Sequence, residues 1–192
     1  MVGRQAKIIA AHSLRRMLAY AGRSAHPLRN RAVVLLSVKA GLRACEIARL
    51  EWSMVLDARG HIGRMIELRD DIAKMGSGRR IPLHSDLRHA LAVLGRAEGR
   101  KGAVVRSAKT GRAMQPNSIV NWFVVMFAEL GLEGCSSHSG RRTFITRAAR
   151  MIPKAGGSLR DIQLLAGHAS IETTQRYIDG DTDAQRRLVR LI

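Results

Sequence analysis

Between Pro116 and Gly131, Ile119, Trp122, Phe123, Met126, Phe127 and Leu130 form one apolar series. Their i, i+3, i+4, i+7, i+8, i+11 spacing has the helical period, and no strand could present it as one face. Pro116 suits the first helical position and Gly131 the residue just past the end. So wide an apolar stripe must be covered, and the rest of the chain has to build the core that covers it. The 192 residues suffice for one domain with a buried interior.

Other helices follow from the same periodicity. Ala11, Leu14 and Leu18 predict a helix over 5–21, and Leu28, Ala32, Leu35 and Leu36 a second over 27–40 that ends at Gly41. A short helix is expected over 43–50, and another from an N-cap at Ser85 to Arg96. Residues 138–151 read as helical. Ser158 with Asp161 forms a capping box, Ser170 caps a short helix reaching Tyr177, and Thr182 with Gln185 opens a last basic helix to Ile192. Between these lie short apolar runs at 54–56, 65–68 and 80–83, set apart by Gly-rich turns. They predict a three-stranded antiparallel sheet. Residues 99–111 read as a basic loop with a short strand at 103–105. The expected fold class is mainly α with a small antiparallel β-sheet (α+β), in a single domain over 1–192.

Charge narrows the partners. Lys and Arg number 33 against 15 Asp and Glu, a formal net charge of +18. That excess, spread along the whole chain, points to a polyanion, with nucleic acid ahead of an anionic membrane surface. No apolar run approaches the roughly 18 residues that span a bilayer. The N-terminus has no continuous apolar h-region, so no signal peptide is read. Cys45 and Cys135 make no disulfide framework and suit a reducing interior. Cys135 and His138 have a C-x-x-H spacing, but no second ligand pair accompanies them, so no metal is expected.

Four segments gather unusual residue types: Gly41-Leu42-Arg43 with Glu46, the turn from Lys74 to Gly78, His138 with Arg141, and Leu165-Ala166-Gly167-His168 followed by Tyr177. In this order they resemble the catalytic domain of the tyrosine recombinase (phage integrase) family, whose members cut and rejoin DNA. The family's G-L-R-x-x-E motif matches Arg43 and Glu46. Its hairpin lysine matches Lys74, eight residues before Pro82. Its H-x-x-R box matches His138 and Arg141, and its L-x-G-H box with a tyrosine nine residues on matches His168 and Tyr177. The resemblance departs where Arg142 stands in place of a frequent histidine and where Ser139-Gly140 fills the box interior. Arg43 also comes too early to leave room for the family's N-terminal core-binding domain.

The resemblance implies the family's DNA breaking-rejoining fold and a reaction through a 3′-phosphotyrosine. A free phenol titrates near pH 10, so about a thousandth is ionised at neutrality and a phenol nucleophile needs help. Arg43 and Arg141 are implied to hold the non-bridging phosphate oxygens, each with a permanently charged planar fork. His138 is implied to take the phenol proton, His168 to add a donor, Lys74 to protonate the leaving 5′ oxygen, and Glu46 to orient Arg43. Since the covalent link conserves the bond energy, no ATP, metal or other cofactor is implied. Arg79, Arg80, Arg100, Lys101, Arg112 and Arg142 are expected to meet DNA phosphates. Double-stranded DNA at a specific site, a tetramer on that DNA, an accessory DNA-binding protein and a bacterial, cytoplasmic, nucleoid-associated location complete the expectation. Singly, each residue has an ordinary alternative: Lys74 could guard a sheet edge, the histidines could end helices, and Tyr177 could simply pack. A type IB topoisomerase, or a DNA-binding protein without catalysis, stands as the alternative function.

Overall fold

A computed structural model describes residues 6–73, 76–177 and 189–190. Among the described residues there are eight helices, α1 (Ala11–Arg23), α2 (Pro27–Lys39), α3 (Ala44–Arg49), α4 (Ser85–Glu98), α5 (Pro116–Glu129), α6 (Ser139–Met151), α7 (Leu159–Ala166) and α8 (Ile171–Gln175), and one hairpin, β1 (Met65–Leu68) and β2 (Arg79–Pro82). The helix expected from Thr182 lies outside the described residues apart from Val189 and Arg190, and so does Lys74.

Helix α2 explains the layout. Ala32 to Val38 are buried on every side of it, the signature of a central helix rather than a surface one. Helices α1 and α4 pack on it, and so does α6. The α5 stripe is covered as expected, with Ile119, Phe123, Met126 and Phe127 buried. A smaller apolar cluster of Ile145, Ile162 and Ala166 joins α6 to α7 and receives one side of Tyr177.

Three expectations are corrected. The first helix starts at Ala11, because 6–10 are claimed by long-range bonds. The Lys7 N–H donates to the Gly134 carbonyl at 3.1 Å and the Ile9 N–H to Thr143 Oγ1 at 2.7 Å. Arg147 donates to the Ile9 carbonyl at 2.9 Å. The sheet has two strands: 52–54 form a 3-10 turn, burying Trp52 and Met54. Leu56 then meets only Ile62, in an isolated bridge. There the Asp57 carboxylate accepts from the N–H groups of Arg59 and His61, both at 2.9 Å, and turns the chain before a ladder can form. The N-cap of α4 is His84, whose ring accepts from the Asp86 N–H at 3.1 Å, not Ser85.

Two glycines set the close approaches. Gly41 ends α2 with φ +64°, and an added Cβ there would strike the Phe144 ring of α6. Gly140, in the first turn of α6, faces Ser37 of α2, which leaves no room for a side chain. This contact accounts for the small residue inside the H-x-x-R box. Gly41→Ala is expected to lower unfolding stability by about 2–4 kcal/mol, the sum of a left-handed backbone and an overpacked contact. Urea unfolding checks it, and a midpoint equal to that of the parent chain would show that Phe144 yields freely.

Candidate active site

The turn at Gly41 delivers two arginines to one place. Arg43 stands at the N-terminal end of α3 in extended conformation, and its N–H and Nη1 donate to the two Glu46 oxygens at 2.9 and 2.8 Å. Arg141, in the first turns of α6, reaches back across the turn. Its Nη1 donates to the Gly41 carbonyl at 2.8 Å and its Nη2 to the Ala166 carbonyl at 2.5 Å. Burial, then the charges of Arg43 and Arg79, pull the Arg141 guanidinium down to about 10, with Glu46 acting in the opposite sense. At neutral pH it remains cationic.

Helix α7 ends at Gly167, in the left-handed region at φ +62°, and this sharp exit places His168 over the arginines. The His168 ring bonds through Nδ1 to Thr174 Oγ1 at 2.9 Å and stacks on Tyr177 with centroids 5.4 Å apart and planes 24° apart. Thr174 is fully buried, and its carbonyl also accepts the Tyr177 N–H at 3.0 Å. One threonine therefore fixes both the histidine and the turn that carries the phenol. Burial, then the charges of Arg141, Arg43 and Arg79, push the His168 ring down to about 4. It is neutral at physiological pH, so it acts as a hydrogen-bonding group and adds no cation. His138 is exposed, immediately ahead of α6.

Arg43, His138, Arg141, His168 and Tyr177 line one cleft of about 340 Å³, all from a single chain, with Arg142, Thr173, Arg176 and Ala6 around them. A cationic cleft facing a phenol suits binding an anion whose charge grows during attack.

The expected phosphate-facing arginines divide. Arg80 is exposed and pairs with Glu67 across the hairpin at 3.0 Å. Lys101 and Arg112 are exposed, and Arg100 donates to the Gly60 carbonyl at 2.8 Å. Arg79 is a correction: its side chain is 4% exposed, and both terminal nitrogens donate to Glu46 at 3.0 Å, so it does not face outward to a phosphate. Strand alternation carried the signal, because Arg79 and Ile81 share the inward face of β2 and Arg80 takes the outward one. Burial would raise the Glu46 carboxyl, but its hydrogen bonds and charge contacts with Arg79, then Arg43, hold it below the usual carboxylate value. Thr174 was not singled out from sequence; its place three residues before Tyr177 was the available cue.

Comparison with known proteins bears on the same segments. The family model described as the phage integrase family matches residues 7–183. Tyrosine recombinase XerC of Brucella suis is 30% identical over 190 residues, covering 92% of this chain and 55% of the relative. Tyrosine recombinase XerD of Mycobacterium tuberculosis is 34% identical over 161 residues, covering 78% and 47%. The chain thus spans about half the length of the curated relatives it matches. Among solved structures, XerA recombinase superposes with a TM-score of 0.74 at 21% identity, covering all of this chain and 65% of the other. A lambda integrase dimer bound to a COC′ core site gives 0.68 at 21% identity, covering 90% and 48%.

Proposed function

The chain belongs to the phage integrase family, and we propose that it is a site-specific DNA recombinase that cuts and rejoins strands through a phosphotyrosyl link. The observation that carries this reading is the cleft itself: the phenol of Tyr177, the guanidiniums of Arg43 and Arg141 and the imidazoles of His138 and His168 converge within one protomer. In the proposed reaction Tyr177 Oη attacks a backbone phosphorus, and the bond to the 5′ oxygen breaks as the new phosphotyrosyl bond forms. His138 accepts the phenol proton. Lys74 gives a proton to the departing 5′ oxygen. Arg43 and Arg141 hold the non-bridging oxygens, on which charge increases toward the transition state. With Nδ1 taken by Thr174, His168 has Nε2 left to bond the same phosphate. A free 5′-hydroxyl then attacks the phosphotyrosine and the steps run in reverse, so bonds broken equal bonds formed. The exposed Arg80, Lys101 and Arg112 add salt-dependent affinity without reading sequence.

Exchange between two duplexes breaks four strands, so the proposal includes a tetramer on paired sites. The test is a supercoiled plasmid carrying two copies of the DNA that flanks the gene. Recombinant circles are the expected product. Relaxation without exchange would instead select a topoisomerase-like activity, and binding without any strand cleavage would leave a DNA-binding protein alone.

Among the described residues no helix is long and apolar enough to cross a membrane.

A further inference from the structure

Arg79 does not line the cleft, yet its guanidinium joins the two segments that carry Arg43 and His168 into it, and ties both to the hairpin turn. Nη1 and Nη2 each donate to Glu46 at 3.0 Å, the same carboxylate that receives Arg43. Nε donates at 3.0 Å to the Leu165 carbonyl, three residues before His168. Nη1 also reaches the Ser77 carbonyl, at 3.4 Å, in the hairpin turn that follows Lys74. The fit leaves no slack, since a Cβ on Gly167 would stand 2.9 Å from Arg79 Cδ.

Glu46 has two oxygens and serves two guanidiniums. With Arg79 in place, Oε1 takes one nitrogen from each arginine, and Oε2 takes Arg79 Nη2 together with the Arg43 backbone N–H. The carboxylate plane is therefore fixed, and the direction in which Arg43 presents its remaining donors is fixed with it. Without Arg79, Glu46 is free to rotate and engage the Arg43 guanidinium, now held through Oε1 alone, with both oxygens, which would draw that guanidinium away from the cleft. A lysine keeps the charge but has no planar fork to hold two oxygens and a carbonyl at once.

We propose that Arg79 is a positioning residue for strand cleavage: braced on the Leu165 carbonyl, it locks Glu46 and through it orients Arg43 toward the phosphate. The proposal rests on the reading of the cleft as a DNA-cleaving site, and its test separates the two. The full chain and its Arg79→Lys and Arg79→Gln variants are incubated with a nicked duplex cut from the DNA that flanks the gene. Each is used below its melting temperature, with the folded fraction checked by circular dichroism. Adduct formation at saturating DNA is expected to fall about 10²-fold, the scale set by misplacing a reacting group by about an ångström. DNA affinity is expected to stay near that of the parent, because exposed phosphate contacts supply it. The discriminating readout is coupling. In an Arg43→Lys background, Arg79→Lys is expected to cost less than about 3-fold more, whereas an independent structural role would multiply the two losses. Parent-like cleavage by either Arg79 variant, multiplicative losses, or affinity that falls in step with rate would each overturn the proposal. Absence of any adduct from the parent chain would remove the reading of the cleft and this inference together. An adduct from the parent with unimpaired Arg79 variants would remove the inference alone.

Discussion

Tyr177→Phe is expected to eliminate the covalent DNA adduct while leaving folding and DNA affinity unchanged. The phenol ring packs with Ile145, Ile162 and Ala166 and stacks on His168 at 5.4 Å. Phenylalanine keeps that ring and its contacts, so only the attacking oxygen is lost. Removing the nucleophile of a covalent mechanism costs about 10⁵-fold or more, because the remaining groups can bind the phosphate but have nothing to link to it. The measurement is denaturing gel electrophoresis of a labelled nicked duplex after incubation, beside a binding isotherm and a thermal melt. An adduct that persists in the variant would mean that another side chain attacks, and the assignment of Tyr177 would fall.

The second large effect is on stability. Glu46→Gln is expected to cost about 3–5 kcal/mol, because it keeps the shape and removes the carboxylate that balances Arg79 and Arg43. For a chain of this length that is a drop of about 10 °C in Tm. Glu46 has no exposed surface, and Arg79 next to it is nearly as enclosed, so solvent does little to screen the loss. The pH dependence has a definite sign. The folded carboxyl titrates below its unfolded counterpart, so the native state favours the ionised form. Its contribution is complete above the ordinary carboxylate range, near pH 4.3, and disappears as pH falls through the lowered folded value. His168 acts in the same direction. Its ring is held neutral down to about 4 when folded, so acidification from the ordinary histidine value near 6.5 favours the unfolded chain. Thermal melts from pH 2 to pH 8 should show the gap between parent and Glu46→Gln as constant above about pH 5 and closing as pH falls below about 4.3. Equal melting temperatures at pH 7 would contradict the assignment of Glu46 as the shared counter-ion.

Local rules made much of the fold legible. The helices at 27–39, 116–129 and 139–151 follow apolar period and end signals that act within a few residues. The Ser158–Asp161 capping box forms as written, with the Ser158 N–H donating to the Asp161 carboxylate at 2.7 Å. Long-range contacts decided the rest. Lys7 and Ile9 sit in a sequence with helical spacing, but partners more than a hundred residues away hold that stretch out of a helix. Trp52 and Met54 are buried in a 3-10 turn, and their burial outweighed the strand pattern that follows. The cleft residues were legible because chemistry restricts their type and order. Arg79 was misread because composition suggested solvent and phosphate for any arginine, although its alternation with Ile81 placed it inside.

Three guanidiniums, those of Arg43, Arg79 and Arg141, crowd around a single carboxylate beneath the cleft. This part of the protein is thus assembled against its own electrostatic repulsion, held by packing and by backbone carbonyls. A polyanion bound there would relieve that repulsion only in the folded form, and in the proposed reaction would serve as a structural brace as well as a reactant. On the proposed reading, substrate capture and consolidation of the native state draw on one and the same charge surplus, and a variant that neutralised an arginine to gain robustness is expected to loosen its hold on nucleic acid.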